Sequence, residues 1–153
     1  MKHVLSSLIL GAVLLYASCA KDDTVQVQHK EQSLTGIKWE VTSIVSVDSL
    51  NRETDLYATL PGFMKDDYFL FSPDSTYELN DNQVLRADSV PAIVDAGNWE
   101  LTHNGDSLTL HSNFFSTTYY PAFIEELTQT TLSLKRYYPG DKTLVRTKYK
   151  AIQ

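Results

Sequence analysis

The chain has 153 residues and a formal net charge of −6 at pH 7. This length suits one domain, and the acidic balance argues against nucleic-acid binding, which needs a basic surface. The single cysteine excludes an internal disulfide, so the fold must be stabilised by packing. Nine tyrosines against six glycines favour pleated, half-buried β-structure.

The N-terminus has the three parts of a signal peptide. A short polar start at Lys2 and His3 precedes an apolar run over residues 4–16, and small residues follow at Ala17 and Ser18. The apolar run is shorter than the roughly 20 residues that a membrane-spanning helix needs. We therefore predict a removable signal peptide at residues 1–18 rather than a permanent transmembrane anchor.

The end of this segment resembles the lipobox of bacterial lipoproteins, in which small residues precede a cysteine that becomes acylated. Ala17, Ser18 and Cys19 carry the resemblance, whereas Tyr16 departs from the usual leucine. The resemblance implies palmitate-type acyl chains on Cys19, since two or three chains on one cysteine hold a protein stably in a membrane. The alternative is ordinary signal-peptidase cleavage after Ala20, which would release a soluble product.

A charged and then polar stretch follows the cysteine. Residues 20–23, Ala-Lys-Asp-Asp, resemble the export signal that sends lipoproteins of the Bacteroidota to the outer face of the outer membrane. That resemblance implies a lipid-anchored outer-membrane protein at the cell surface; the alternative is a solvated charge run. Residues 24–33 are polar apart from two valines and cannot bury enough surface to order themselves. We predict a lipidated cysteine and flexible tether at residues 19–33.

From residue 37 onward, apolar and polar residues alternate with a period of two, which predicts half-buried strands. A long first strand is predicted up to Val47, and a Pro-Asp turn indicates a hairpin over residues 69–79. Asn104-Gly105 indicates a second hairpin, over residues 98–111. The last three strands are predicted at residues 119–126, 131–137 and 143–152.

These strands predict an all-β fold: an eight-stranded antiparallel up-and-down barrel, whose closure removes the exposed edges of an open sheet. Two connections are longer than the rest. We expect residues 51–67 to contain a helical turn and residues 80–96 to contain a short extra strand near residues 90–94.

The domain resembles the lipocalin-like domains of bacterial surface lipoproteins. The likeness rests on LTGIKW at residues 34–39, FLFSPDSTY at 69–77, GNWEL at 97–101 and IEELTQTTLSL at 124–134. It departs from true lipocalins at the start, because they have Gly-x-Trp where this chain has Gly-x-x-Trp. The resemblance implies one barrel over residues 34–153, with space for packed side chains or one small ligand.

The resemblance also implies roles for individual residues. Arg146 would cover the Trp39 indole as a cation–π partner; the alternative is a solvent-facing strand residue, like Lys148 and Lys150. Residues 51–67 would form a lid-like loop. Six aromatic residues would face the interior and bind a ligand, or else simply form the core: Trp39, Tyr77, Trp99, Tyr119, Phe123 and Tyr149.

We find no sequence motif for catalysis or metal binding. His103 and His111 lie at opposite ends of a hairpin, which is not a zinc-ligand spacing. Gly-x-Ser-x-Gly, phosphate-loop and His-Glu-x-x-His motifs do not occur. We therefore expect no enzyme, no metal and no cofactor.

Two functions remain in competition. The first is a non-catalytic binding module on an outer-membrane lipoprotein, facing the cell surface or the periplasm, for a small apolar or glycan-like ligand. It predicts an internal cavity with polar groups among the aromatic residues. The second is a protein-interaction or inhibitor barrel with a filled core. It predicts no cavity and an exposed apolar patch for a protein partner in the loop at residues 51–67, formed by Tyr57, Leu60, Phe63 and Met64.

Overall fold

The computed structural model describes residues 20–82, 92–115, 117–119, 121–138, 140 and 143–153. Helix α1 is Ala20–Leu34, a 3-10 helix is Tyr57–Thr59, and α2 is Gly62–Lys65. The strands are β1 Lys38–Val47, β2 Glu53–Asp55, β3 Tyr68–Phe71, β4 Thr76–Asn80, β5 Ile93–Thr102, β6 Ser107–Ser112, β7 Thr117–Thr118, β8 Ala122–Leu127, β9 Thr131–Tyr138 and β10 Thr143–Ile152. None of the helices described is long and apolar enough to cross a membrane.

Eight of these strands form a closed antiparallel barrel, which confirms the predicted fold class. The strand order is β1-β3-β4-β5-β6-β8-β9-β10, and β10 pairs back with β1 from Lys38 opposite Ile152 to Val47 opposite Leu144. Each barrel strand neighbours the next one in the chain, as an up-and-down barrel requires. The two short strands lie outside this circuit, β2 beside the end of β1 and β7 beside the end of β6.

Both predicted hairpins are confirmed, and their turns show why. In the β3–β4 turn, Ser75 has φ +66. In the β5–β6 turn, Asn104 and Gly105 have φ +56 and φ +83, the left-handed conformation that Asn and Gly tolerate best. The helical turn expected in residues 51–67 is also present, as the 3-10 helix and α2.

The polar stretch at residues 24–33 is helical rather than coil, which corrects the predicted tether. Three residues with helical spacing explain the order: Lys30 donates to Asp106 Oδ1 at 2.6 Å, Leu34 is fully buried, and Val27 packs on Gly105. These contacts supply the tertiary stabilisation that the polar composition alone lacks. Gly36, with φ +71, follows the helix and turns the chain into β1.

Some N-terminal and loop predictions fall outside the described residues. The signal peptide at residues 1–18 and Cys19 are among them, as are residues 83–91. Of the extra strand expected near residues 90–94, Ile93 and Val94 belong to β5. The sixth barrel strand begins at Ala122, later than predicted, because Tyr119 instead bonds through its backbone N–H to the Leu110 carbonyl at 2.9 Å.

The end of the barrel beside α1, here called the base, is packed with aromatic side chains. The Trp39 indole is fully buried and donates to the Leu34 carbonyl at the end of α1, at 2.9 Å. The Trp99 indole donates to the Ser72 carbonyl at 3.1 Å. Phe71 packs edge-on against Trp99. The helix and the two indoles therefore close the base. Strand register places the β4–β5 and β9–β10 connections at the opposite end of the barrel, here called the mouth.

Candidate functional site

A cavity of about 180 Å³ lies inside the barrel. This is slightly more than the roughly 150 Å³ that holds a benzene molecule in an engineered protein cavity. Its walls are mostly aromatic and aliphatic, and its two charged residues are Asp95 and Arg136. The lining residues are Trp39, Phe69, Phe71, Leu79, Asp95, Leu108, Leu110, Tyr119, Ala122, Leu132, Leu134, Arg136 and Tyr149.

Five of the six aromatic residues predicted to face the interior are buried or partly buried. Trp39, Tyr119 and Tyr149 line the cavity. Tyr77 and Trp99 are buried in the core cluster without lining it. The two alternatives weighed for these residues, ligand contact and core packing, thus apply to different members of the set.

The prediction for Phe123 is wrong, because its side chain is 46% exposed. On β8 the buried position is Ala122, which is 2% exposed and lines the cavity. Since neighbouring residues of a strand point to opposite faces, burial of Ala122 sends Phe123 outward, where its ring lies beside that of His103.

Arg146 does not cover Trp39. Its side chain is 44% exposed and lies 3.8 Å from Glu125 on the outside of the barrel, as the solvent-facing alternative predicted. Lys148 and Lys150 are exposed on the same strand. The base is closed instead by α1, whose last carbonyl accepts the indole hydrogen bond of Trp39.

Toward the mouth, a buried carboxylate gathers three hydroxyl groups. Asp95 is 5% exposed and accepts hydrogen bonds from Ser112 Oγ at 2.6 Å, Tyr77 Oη at 2.9 Å and Tyr119 Oη at 3.4 Å. Burial raises the pKa of Tyr77 above its usual value, and the hydrogen bond to Asp95 raises it further. Burial and the Asp95 charge also raise the pKa of Tyr119. Asp95 therefore ties β4, β5 and β6 together.

Arg136 is the second charged residue of the cavity, on β9. Its guanidinium carbon lies 5.8 Å from the centre of the Tyr119 ring, and Nη1 donates to Tyr138 Oη at 3.3 Å. Its Nε is buried and has no hydrogen-bond partner among the residues described. The cavity wall thus presents one N–H group whose bonding is incomplete.

Tyr149 lies on β10 and brings a third polar group to this wall. Burial raises the pKa of its hydroxyl to about 12, with a smaller opposing contribution from the nearby Arg136 charge. A hydroxyl with this pKa stays protonated and neutral at physiological pH. It can therefore donate a hydrogen bond into the cavity without adding charge.

Sequence reasoning missed Asp95, Arg136 and the helix α1. A signal was present for the first two, since Asp95 is in phase with Trp99 on β5 and Arg136 is in phase with Leu132 and Leu134 on β9. A charged residue at an inward position of a strand is unusual and marks a polar group inside the barrel.

The loop at residues 51–67 does not present the apolar patch predicted for a protein partner. Tyr57, Leu60 and Phe63 are partly buried, and Met64 alone of the four is exposed, at 37%. Elsewhere, Phe114 and Phe115 are exposed on the turn after β6. In the part of the chain described, His, Cys, Asp and Glu side chains form no group of three that could hold a metal ion.

Residues 16–138 match the sequence profile of a family described as a domain of unknown function, DUF5004. The chain belongs to this family. The DUF5004 match extends from before α1 to the end of β9 and so includes Asp95 and Arg136. No curated protein matches the chain.

Proposed function

We propose that this DUF5004 domain is a non-catalytic binding module whose barrel holds one small, predominantly apolar ligand. The observation that carries the proposal is the cavity of about 180 Å³ with its aromatic and aliphatic lining. Small-molecule sites are typically concave and mostly apolar, with a few polar groups that orient the ligand. Asp95 and Arg136 are the charged groups of that kind here.

The lining favours an apolar ligand over a glycan. A sugar carries hydroxyl groups all round, and each one buried without a hydrogen-bond partner costs free energy. The walls contributed by Phe69, Leu110 and Leu134 offer no such partners, and the carboxylate of Asp95 is already bonded to three protein hydroxyls. A compact hydrocarbon or a single aromatic ring suits these walls better.

We further propose that acyl chains on Cys19 anchor the domain to the outer membrane. Support comes from the resemblance of Ala17-Ser18-Cys19 to a lipobox. Because α1 packs on the β5–β6 turn from Val27 onward and buries Leu34 in the core, it would hold the barrel base close to the membrane. Replacement Cys19→Ser should abolish incorporation of a labelled palmitate analogue and release the protein from the membrane fraction; incorporation that persists would contradict lipidation at Cys19.

Ligand binding is tested with neutral probes on the purified full chain. We expect 1-hexanol or benzene to cause saturable NMR shifts of the methyl groups of Leu108, Leu110 and Leu134, and to raise the Tm. Replacement Leu110→Trp fills the cavity and should abolish these shifts. Leu50→Trp introduces the same side chain at a position that is 70% exposed and should leave binding unchanged.

The absence of any saturable response in the unmodified chain would contradict the binding proposal. It would favour the alternative barrel that acts through its loops, for which a protein partner at residues 51–67 stays a prediction. That alternative expects a filled core, whereas the cavity supports the first function.

A further inference from the structure

The interior of the barrel holds a cation, Arg136, with no carboxylate in direct contact among the residues described. Arg136 forms no ion pair with any described carboxylate, although Asp95 lines the same cavity. Buried or partly buried charges in proteins are normally paired, because removing an unpaired ion from water is costly. The Arg136 side chain is partly buried, and its Nε is fully so.

The three tyrosines around Arg136 supply no negative charge, so the guanidinium can still bind an anion. Tyr119 presents its ring to the guanidinium, Tyr138 accepts a hydrogen bond from Nη1, and Tyr149 keeps its neutral hydroxyl nearby. Aromatic rings and a phenolic oxygen stabilise a cation only weakly compared with a carboxylate. A ligand oxygen within reach of Nε would complete the bonding of the guanidinium.

We propose that the ligand is a small monocarboxylate, with its hydrocarbon part among the cavity leucines and phenylalanines and its carboxylate on Arg136. This inference rests on the proposed binding function and specifies its ligand class. A carboxylate fits better than a phosphate ester, because one arginine balances one negative charge and the planar guanidinium matches two carboxylate oxygens. Asp95 would disfavour a more highly charged head group.

The size of the cavity limits the hydrocarbon part. A site of about 180 Å³ is only slightly larger than one that binds benzene, so we expect acids of about six to eight carbon atoms, such as hexanoate or benzoate, rather than long-chain fatty acids. Palmitate should therefore bind no more tightly than hexanoate. The barrel would therefore select its ligand both by the charge of the head group and by the length of the hydrocarbon part.

The test compares hexanoate with hexanamide, which has nearly the same shape and no charge, by calorimetric titration of the purified full chain at pH 7. We expect hexanoate to bind at least tenfold more tightly. Arg136→Met should remove this preference while hexanamide binding persists. Arg146→Met makes the same change in net charge on the outer face of the barrel and should behave like the unmodified chain.

Equal affinities for hexanoate and hexanamide in the unmodified chain would overturn the carboxylate inference and leave the apolar binding function intact. Binding of neither probe, together with no response to 1-hexanol or benzene, would overturn both. Loss of preference in Arg146→Met as well would show that overall charge, and not Arg136, attracts the acid, and would also overturn the inference.

A second measurement does not depend on a folded variant. The Nε–Hε signal of Arg136 in the nitrogen-edited NMR spectrum of the unmodified chain should shift on addition of hexanoate and much less on addition of hexanamide. If saturating hexanoate shifts the leucine methyl signals but not the Nε–Hε signal, the head group binds elsewhere, and the role of Arg136 is refuted.

Discussion

The two ends of the barrel use the same alternating strands for opposite purposes. At the base, inward positions carry Trp39 and Trp99, and each indole N–H has a backbone partner, the carbonyls of Leu34 and Ser72. Toward the mouth, inward positions carry Asp95 and Arg136, and the Arg136 Nε has no partner among the residues described. The two indoles of the base are therefore fully bonded, whereas Arg136 toward the mouth has bonding capacity left for a ligand.

The difference also concerns how each end is held. The base is held by apolar contact and by the helix α1, which buries Leu34 completely. The mouth is held by a carboxylate that joins hydroxyl groups of three neighbouring segments. We expect truncations at the base to cost the most stability, and changes at the mouth to cost less stability but alter binding or pH dependence.

The largest effect is expected from Trp39→Ala. The substitution removes a fully buried indole and its hydrogen bond to the α1 carbonyl, so the free energy of unfolding should fall by about 4 kcal/mol. Urea denaturation measures this change. Phe114→Ala truncates a ring that is 56% exposed near the mouth and should change stability by less than about 0.5 kcal/mol. A similar loss in both variants would contradict the importance of the base.

A smaller loss is expected from Asp95→Ala. It leaves the hydroxyls of Tyr77 and Ser112 buried without their acceptor, which should cost about 2 kcal/mol. Asp95→Asn keeps one acceptor oxygen, and its NH2 group can donate a hydrogen bond to a neighbouring hydroxyl. The loss of unfolding free energy, measured in the same way, should therefore be clearly smaller. If the two variants were equally unstable, the hydrogen bonds would not be the source of the effect.

Alkaline pH should destabilise the barrel through Tyr149. Its pKa rises from 10.0 to about 12 in the folded protein, so the stabilisation is complete below pH 10 and is lost as pH rises toward 12. The unfolding free energy should fall by roughly 2 kcal/mol over that range. Tyr149→Phe should make the curve shallower, whereas Tyr137→Phe, at a position that is 49% exposed, should not. Identical curves for both would contradict this origin.

The smallest effect is expected from Lys30→Ala at the base. The ion pair with Asp106 is largely exposed on the Asp106 side, and such pairs contribute little to global stability. Its loss should instead loosen α1 and raise the rate of limited proteolysis within the helix by a factor of about two. Lys148→Ala, on the outside of β10, serves as the control. Unchanged cleavage of α1 would show that Leu34 and Val27 alone hold the helix.

Much of the barrel could be predicted from local sequence patterns. The alternation around Trp39 and Trp99 and the Asn104-Gly105 turn indicate strands and hairpins directly, because each signal involves residues close together in the chain. The helix α1 could not be predicted from composition, since Val27, Lys30 and Leu34 gain their partners only from the β5–β6 turn and the core. Phe123 was misplaced because an apolar residue can occupy either face of a strand, and the pairing of Ala122 with Leu108 decides which.

Local sequence patterns encode the all-β class, the number of barrel strands and the two hairpins, because periodicity and turn residues act over short distances. The cavity inside the barrel and the contact of Arg136 with the Tyr119 ring arise only when the strands pack together. Arg136 lies on β9 and Tyr119 follows β7, so only closure of the barrel brings the two side chains together. The volume left between packed side chains depends on all walls at once, so no local pattern encodes it.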